Sequence, residues 1–145
     1  MEKIFQNDIL MVALLSWFLA QLGKLILTLL NEKRLDLNKL ISSGGMPSSH
    51  SSFSTAVAVG IGQVYGYDDG LFALAAVFAF IVMYDAANVR LEAGKQAALL
   101  NRIIDVMQDP HVKLDDRLKE LLGHTPLQVA VGALLGIVTA LVLIP

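Results

Sequence analysis

Four long apolar stretches limit what this chain can fold into. They span about residues 9–30, 47–65, 71–89 and 126–144. A helix needs roughly 20 apolar residues to cross the hydrocarbon core of a bilayer, and each stretch is close to that length. In addition, 55% of the residues are hydrophobic and 17% are charged, unlike an ordinary soluble protein. We therefore expect an all-α, polytopic membrane helical bundle with about four transmembrane helices.

Two of these stretches are atypical. The first, at 9–30, lies where a signal peptide would lie, but no small-residue cleavage site follows it, so we expect it to be retained. The second, at 47–65, has a polar beginning formed by Ser49, Ser51, Ser52, Ser54 and Thr55. Polar groups at membrane depth usually face the interior of a bundle or a wet cavity. This end of the second helix is therefore predicted to line such a cavity.

The basic residues predict the orientation of the helices. Most of the 11 Lys and Arg residues fall in two segments, at about 31–45 and 90–124, whereas Lys3 lies on the opposite side. Because cytoplasmic loops are enriched in Lys and Arg, both segments are predicted to be cytoplasmic, with both termini outside the inner (plasma) membrane. Within the second segment, residues 91–107 carry apolar residues at helical spacing, which predicts a cytoplasmic helix. We expect residues 1–145 to form a single integral membrane domain.

A glycine-rich turn leads into the second apolar stretch. Residues 44–52 read Gly-Gly-Met-Pro-Ser-Ser-His-Ser-Ser. The glycines let the backbone approach a ligand closely, and Pro47 suits the first turn of a helix. Free N–H groups at a helix start bind anions, and Ser48, Ser49 and His50 would add donors. The pattern predicts a phosphate site, and the alternative is a serine-rich N-cap with an incidental histidine.

In this topology, the four apolar stretches all bring polar residues to one membrane face. Lys24 lies near the cytoplasmic end of the first helix, and His124 lies at the cytoplasmic start of the last. Asp85, Asn88 and Arg90 lie at the cytoplasmic end of the third helix. A lysine inside an apolar span costs roughly 3 kcal/mol unless it is paired or snorkels, so Lys24 is either functional or a snorkelling residue. Asp85 is either part of a site or an ordinary ion-pair partner of Arg90 or Lys24.

Together, these groups suit the hydrolysis of a phosphomonoester without a metal. Cations and backbone N–H groups would hold the phosphate oxygens, while one imidazole attacks phosphorus and another protonates the departing alcohol. A metal site formed by His50, His124 and Asp85 is an alternative, although no short ligand spacing supports it. We expect no cofactor. The absence of cysteine excludes thiol catalysis, and the net charge of −2 argues against nucleic acid as a partner.

Three separated motifs resemble one known family. They are residues 44–52, Tyr84-Asp85-Ala86 with Val89-Arg90, and Gly123-His124-Thr125-Pro126. Their combination and order resemble the divergent branch of the type 2 phosphatidic acid phosphatase family, within the wider acid phosphatase and vanadium-dependent haloperoxidase superfamily. The resemblance covers nearly the whole chain, from Lys24 to the last helix. It implies a phosphatase-like hydrolase of the membrane that acts on lipid phosphates.

The resemblance also implies roles for individual residues. His124 would be the nucleophile that forms a phosphohistidine, and His50 would be the general acid. Asp85 would supply a negative charge from another helix, and Gln128 and Asn88 would orient catalytic groups. The residues expected to bind phosphate are Lys24, Arg90, Ser48, Ser49, Gly45 and Arg34.

The chain departs from the parent family in three places. No Arg-Pro pair follows Lys24 at the parent spacing, which leaves Arg34 as a substitute. Arg90 and His124 are far apart in sequence, whereas the parent family has them in one short stretch. Gln128 stands where the parent has an aspartate that orients the nucleophile. A neutral amide fixes the tautomer of an imidazole but does not stabilise an imidazolium as a carboxylate does.

These observations leave several hypotheses about function. The first is a phosphatase that hydrolyses a phosphomonoester or diphosphate of a lipid, such as phosphatidate or a polyprenyl phosphate or diphosphate. The second is a non-catalytic membrane protein that binds, carries or senses a lipid phosphate, and the third is a small structural subunit. The expected partners are the lipid phosphate and membrane lipids. Gly132 and Gly136 are at small-xxx-small spacing, which favours a homodimer, and His111 is expected in a solvated loop.

Overall fold

The described parts of the chain are helical. The computed structural model describes residues 2–33, 45–107, 118 and 123–145, and these ranges contain no strand. The helices are α1 (Glu2–Phe5), α2 (Asp8–Glu32), α3 (Ser49–Tyr65), α4 (Gly70–Tyr84), α5 (Arg90–Met107) and α6 (Pro126–Leu143), with a π-helical segment at Asp85–Val89 between α4 and α5. The predicted all-α membrane bundle is confirmed, and the helix predicted over residues 91–107 is α5.

Three helices in the described ranges are long and apolar enough to cross a membrane. They are Asp8–Leu30 in α2, Pro126–Leu143 in α6, and the continuous helix Gly70–Asp105 that joins α4, the π-helical segment and α5. These helices support a multi-pass membrane protein. The second predicted span, at 47–65, forms α3, which has 17 residues and begins at Ser49 rather than at residue 47. The count of four spans is therefore approximate, because α3 is shorter and more polar than the others.

Helix α3 is more polar than the three membrane-spanning helices, and it lies at the centre of the bundle. Helices α2, α4 and α6 each pack against α3, and α2 also packs against α6. The buried residues of α3 are Ser49, Ser51, Ser52, Ser54, Thr55, Ala56, Ala58, Gly60 and Gly62. Small residues let helices approach closely, and close packing is what holds helices together in a bilayer. The polar beginning of α3 thus faces protein rather than lipid, as its composition predicts.

Hydroxyl groups connect α3 to both of its larger neighbours. Ser52 Oγ donates to the Ser16 carbonyl of α2 at 3.1 Å, and the two hydroxyls also contact each other. Thr55 Oγ1 lies 2.7 Å from the Ser51 carbonyl and 3.1 Å from the Ala133 carbonyl of α6. A hydroxyl without a partner is costly in an apolar medium, so these bonds favour the observed arrangement of helices.

Gly132 and Gly136 allow α6 to lie directly against α3. A β-carbon at Gly132 would overlap the Ser48 backbone, and one at Gly136 would overlap the Ser52 carbonyl and the Thr55 hydroxyl. The small-xxx-small pair is therefore occupied within the chain. It offers no surface to a second copy of the chain. The homodimer stays a prediction, but it no longer rests on this glycine pair.

The Gly136→Ala variant is expected to be less stable than the wild type, because the added methyl group meets backbone and hydroxyl atoms of α3. Overpacking of this kind costs about 1–3 kcal/mol. Gly70→Ala is the matched control, since nothing lies within 4 Å of a β-carbon placed at Gly70. Thermal unfolding of both variants in detergent micelles measures the difference. Equal stability would contradict the close packing of α6 on α3.

Candidate functional site

The predicted anion-binding turn forms the start of α3. Ser48 is the N-cap: its Oγ accepts the Ser51 N–H at 3.3 Å, and its own N–H donates to the Gln128 carbonyl of α6 at 3.0 Å. Pro47 precedes this cap and follows a cis peptide bond. The prediction that Pro47 lies in the first helical turn is wrong, because the Ser48 hydroxyl caps the helix one residue after the proline. Ser48 thus serves as the cap that the alternative interpretation of this motif expected.

Lys24 of α2 lies beside this helix start. Only 2% of its surface is exposed, and its Nζ donates to Ser49 Oγ at 3.2 Å. Gly45, with a φ of 93° that favours glycine, lies against the aliphatic carbons of Lys24. Gly23 leaves room for the ring of Pro47, which brings the turn close to α2. A lysine this deeply buried does not snorkel to the membrane surface, so that interpretation of Lys24 is wrong.

His50 and His124 face each other across the same end of the bundle. Their ring centroids are 6.3 Å apart, with an angle of 62° between the rings. His124 is 1% exposed. His124 Nε2 and His50 Nδ1 are both buried, and neither has a partner at full hydrogen-bond distance and angle among the described residues, although the Gly45 backbone lies near enough to act on His124. Buried polar atoms in native proteins almost always have a partner, so two such nitrogens on neighbouring rings indicate a place for a polar ligand.

Gln128 fixes the tautomer of His124. Its Oε1 accepts the Thr125 N–H at 3.1 Å and also lies 3.1 Å from His124 Nδ1. A backbone N–H can only donate, so the amide atom that faces both groups is the oxygen. His124 Nδ1 must then carry the proton. The lone pair of the neutral ring is consequently on Nε2, which is buried.

The π-helical segment holds the backbone of His124. In this segment the Arg90 N–H donates to the Asp85 carbonyl, rather than to the Ala86 carbonyl that an α-helix would use. The Ala86 carbonyl instead accepts the His124 N–H at 2.8 Å. Gly123 has a φ of 86° and lies directly against the backbone of Arg90 and Leu91, where a side chain would clash. The residues of this segment carry no recognisable signal for a π-helix, so sequence reasoning missed this support.

Asp85 and Arg90 form an ion pair at the rim of the site. Arg90 Nε donates to Asp85 Oδ2 at 2.8 Å, and both side chains are more than two-fifths exposed. Their charges, together with that of Lys24, act on His50. The simple ion pair that was one interpretation of Asp85 is therefore present, and it lies close enough to His50 to influence it.

The polar cluster is thus assembled from α2, the start of α3, the π-helical segment and the start of α6. Its members are Lys24, Gly45, Ser49, His50, His124 and Gln128, with Asp85 and Arg90 at the rim.

Other predicted site residues are not brought into the polar cluster. Asn88 is exposed, and its side chain donates to the Tyr84 carbonyl one turn earlier at 3.3 Å. Arg34 and His111 lie outside the described residues. Within the described ranges, no three His, Asp or Glu side chains are grouped so that they could hold a metal ion, so the alternative metal site is not assembled there.

The electrostatic environment favours a neutral His124. Burial holds the pKa of the His124 imidazole below its ordinary value. Hydrogen bonding to the Gln128 side chain and the Gly45 backbone opposes this effect, and the charges of Lys24 and His50 reinforce it. Burial acts in this direction because an apolar environment disfavours the charged form of a histidine. At neutral pH the ring is therefore uncharged, with an available lone pair on Nε2.

Comparison with known proteins agrees with the resemblance drawn from the motifs. The model of a family described as the Divergent PAP2 family matches residues 5–139. The chain is also 37% identical to a Bacillus subtilis (strain 168) protein called "Uncharacterized membrane protein YuiD", over 97% of this chain and 96% of that protein. No solved structure matches the chain. The predicted family is confirmed: this membrane protein belongs to the Divergent PAP2 family.

Proposed function

We propose that this protein is a lipid phosphatase that transfers the terminal phosphate of a lipid phosphate to His124 and then to water. The observation that carries the proposal is the pair of neighbouring imidazoles, in which the Gln128 oxygen fixes the proton of His124 on Nδ1 and leaves the lone pair on the buried Nε2. Membership of the Divergent PAP2 family supports a phosphatase-like membrane protein. The polar cluster lies at the end of the bundle flanked by the basic segments, which favours the cytoplasmic face of the inner membrane.

In the first half-reaction, His124 Nε2 attacks phosphorus. A P–N bond forms while the P–O bond to the lipid breaks, and the ring becomes a phosphoimidazolium. His50, in its protonated form, donates a proton to the leaving oxygen, so that the lipid departs as a neutral alcohol. The ring centroids are 6.3 Å apart, so a phosphate group bound beside the two imidazoles would be within reach of both.

In the second half-reaction, water attacks the phosphohistidine. His50 accepts a proton from the water as the P–N bond breaks, which releases inorganic phosphate and restores the neutral His124. The same imidazole therefore acts first as an acid and then as a base, so each cycle returns both rings to their starting states. No metal ion is needed for either step of this scheme.

The remaining members of the polar cluster are positioned to bind the phosphate oxygens. Lys24 Nζ and Ser49 Oγ are 3.2 Å apart and both buried. The first N–H groups of α3, at Ser49 and His50, have no acceptor within the helix. A cation and helix N–H groups fixed in a buried site stabilise an anionic transition state more strongly than they would in water. Arg90 at the rim adds a second cation that acts on His50.

One observation favours a second function, which is binding or sensing of a lipid phosphate without turnover. The partner of His124 Nδ1 is the neutral amide of Gln128, so no carboxylate supports the positive charge that develops on the ring during attack. Asp85 is paired with Arg90 at the rim. A site of this kind would bind a phosphate group without hydrolysing it. Variants of His124 and Gln128 distinguish binding from hydrolysis.

Purified wild-type protein is expected to release phosphate from dioleoyl phosphatidate in detergent micelles without added metal. His124→Ala should lower the rate by at least about 10³-fold, because it removes the nucleophile. His111→Ala is the matched control, since it replaces another of the three histidines and should leave the rate unchanged. Unchanged phosphate release by His124→Ala would contradict the proposed nucleophile.

Gln128→Glu tests whether the missing carboxylate limits the reaction. A glutamate there would stabilise the imidazolium, so phosphate release should increase by about 10-fold, the equivalent of one pKa unit. Gln128→Leu removes the acceptor for Nδ1 and should lower the rate. Gln128 also forms a capping box with Thr125 at the start of α6. Thermal unfolding of both variants therefore shows whether a change in rate reflects a loss of stability. Retained binding of phosphatidate with no release from wild type or Gln128→Glu would favour the binding function instead.

The rate of phosphate release is expected to rise with pH along an acid limb as His124 loses its proton, and to fall again at higher pH as His50 loses the proton that it donates to the leaving oxygen. The neutral His124 ring attacks, and its lowered pKa means that the proton is already lost below the ordinary histidine value of about 6.5. The midpoint of the acid limb should therefore lie below that value, and Gln128→Glu should move it to higher pH. A wild-type midpoint above about 6.5 would contradict the neutral, buried nucleophile.

A further inference from the structure

An apolar groove runs along the membrane side of α3. It encloses a cavity of about 460 Å³. Helix α2 contributes Leu14 and Trp17 to one wall, α4 contributes Phe78 and Val82 to the other, and Phe53 of α3 forms part of the floor. The groove exists because α2 and α4 both pack against α3 and, in the described ranges, hardly touch each other.

The walls of this groove belong to helices that are apolar enough to cross a membrane. Trp17 is 41% exposed and Phe78 is 62% exposed, so the groove is open at its side. In a bilayer, such an opening faces the hydrocarbon chains of lipids rather than water. The groove can therefore be entered sideways from the membrane without passing through the aqueous phase.

His50 connects the groove to the polar cluster. The same side chain lines the groove and faces His124 at a centroid distance of 6.3 Å. Along α2, the groove is lined by Leu14 and Trp17, and Lys24 lies seven residues beyond Trp17, about 10 Å further along the helix. The apolar groove therefore leads through His50 toward a site with a buried cation and two imidazoles. A molecule that fills both parts must have an anionic head and a hydrocarbon tail.

We propose that this groove binds the hydrocarbon chain of the lipid whose phosphate lies in the polar cluster. The inference rests on the proposed function and makes it more specific, because chain binding restricts the substrates to phosphorylated amphiphiles. His50 belongs to both the groove and the polar cluster. For this reason we assign the groove to the hydrocarbon tail of the bound lipid phosphate rather than to any membrane lipid. Small water-soluble phosphomonoesters would leave the groove empty and bind poorly.

Trp17 provides a direct probe of the groove, because it is the single tryptophan of the chain. The ligand is a phosphonate analogue of phosphatidic acid with dibrominated acyl chains, which quenches tryptophan on contact and cannot be hydrolysed. Dibrominated phosphatidylcholine at the same mole fraction in detergent micelles is the control for nonspecific lipid contact. The phosphonate is expected to quench Trp17 at several-fold lower concentration than the phosphatidylcholine. Equal quenching by the two lipids would overturn the proposal.

A pair of variants on α4 tests the position of the bound chain. Val82→Phe narrows the groove and should raise the phosphonate concentration that gives half-maximal quenching several-fold. Val77→Phe makes the same change at a position that is 57% exposed and does not line the groove, so it should behave as the wild type. Equal responses of the two variants would overturn the assignment of the chain to this groove.

Phosphate release from dioleoyl phosphatidate, measured in parallel, separates this inference from the proposed function. Release without preferential quenching would overturn the chain-binding groove and leave the phosphatase intact. Preferential quenching without release would support the groove and contradict turnover. Lys24→Ala should abolish the preference for the phosphonate while leaving the weak quenching by phosphatidylcholine unchanged, and a retained preference would overturn the link between groove and polar cluster.

Discussion

The hydrogen bond from the Ser48 N–H to the Gln128 carbonyl joins the start of α3 to the first turn of α6, and the positions of both histidines depend on it. His50 follows Ser48 in the first turn of α3, and the Gln128 side chain holds His124 Nδ1. Gly132, one turn further along α6, lets the two helices approach closely enough for this bond. A larger residue in this seam would move the two imidazoles apart.

Much of this arrangement could be predicted from the sequence because membrane helices have simple requirements. Apolar length located the spans, and the serines at the beginning of α3 indicated a helix that faces protein rather than lipid. The order of the spans placed Lys24, His50 and His124 at the same membrane face. These features depend on local composition and connectivity, which the sequence states directly.

Other features depend on backbone contacts between distant segments, and local sequence gives no sign of them. The π-helical segment frees the Ala86 carbonyl for the His124 N–H, although nothing in residues 85–89 indicates this geometry. Gly132 and Gly136 are at a spacing that suits contacts within a chain as well as between chains, and only the structure shows that α3 covers them. The groove between α2 and α4 likewise exists because both pack on a third helix.

The proposed attack of His124 Nε2 on phosphorus forms a covalent phosphohistidine, and this intermediate can be trapped. Protein mixed with a lipid phosphate is quenched in alkali, where phosphohistidine survives, and its peptides are sequenced by mass spectrometry. A phosphate is expected on the peptide that contains His124, lost in His124→Ala and retained in His111→Ala. Phosphate release with no modification at His124, or with modification of another residue, would contradict the proposed attack.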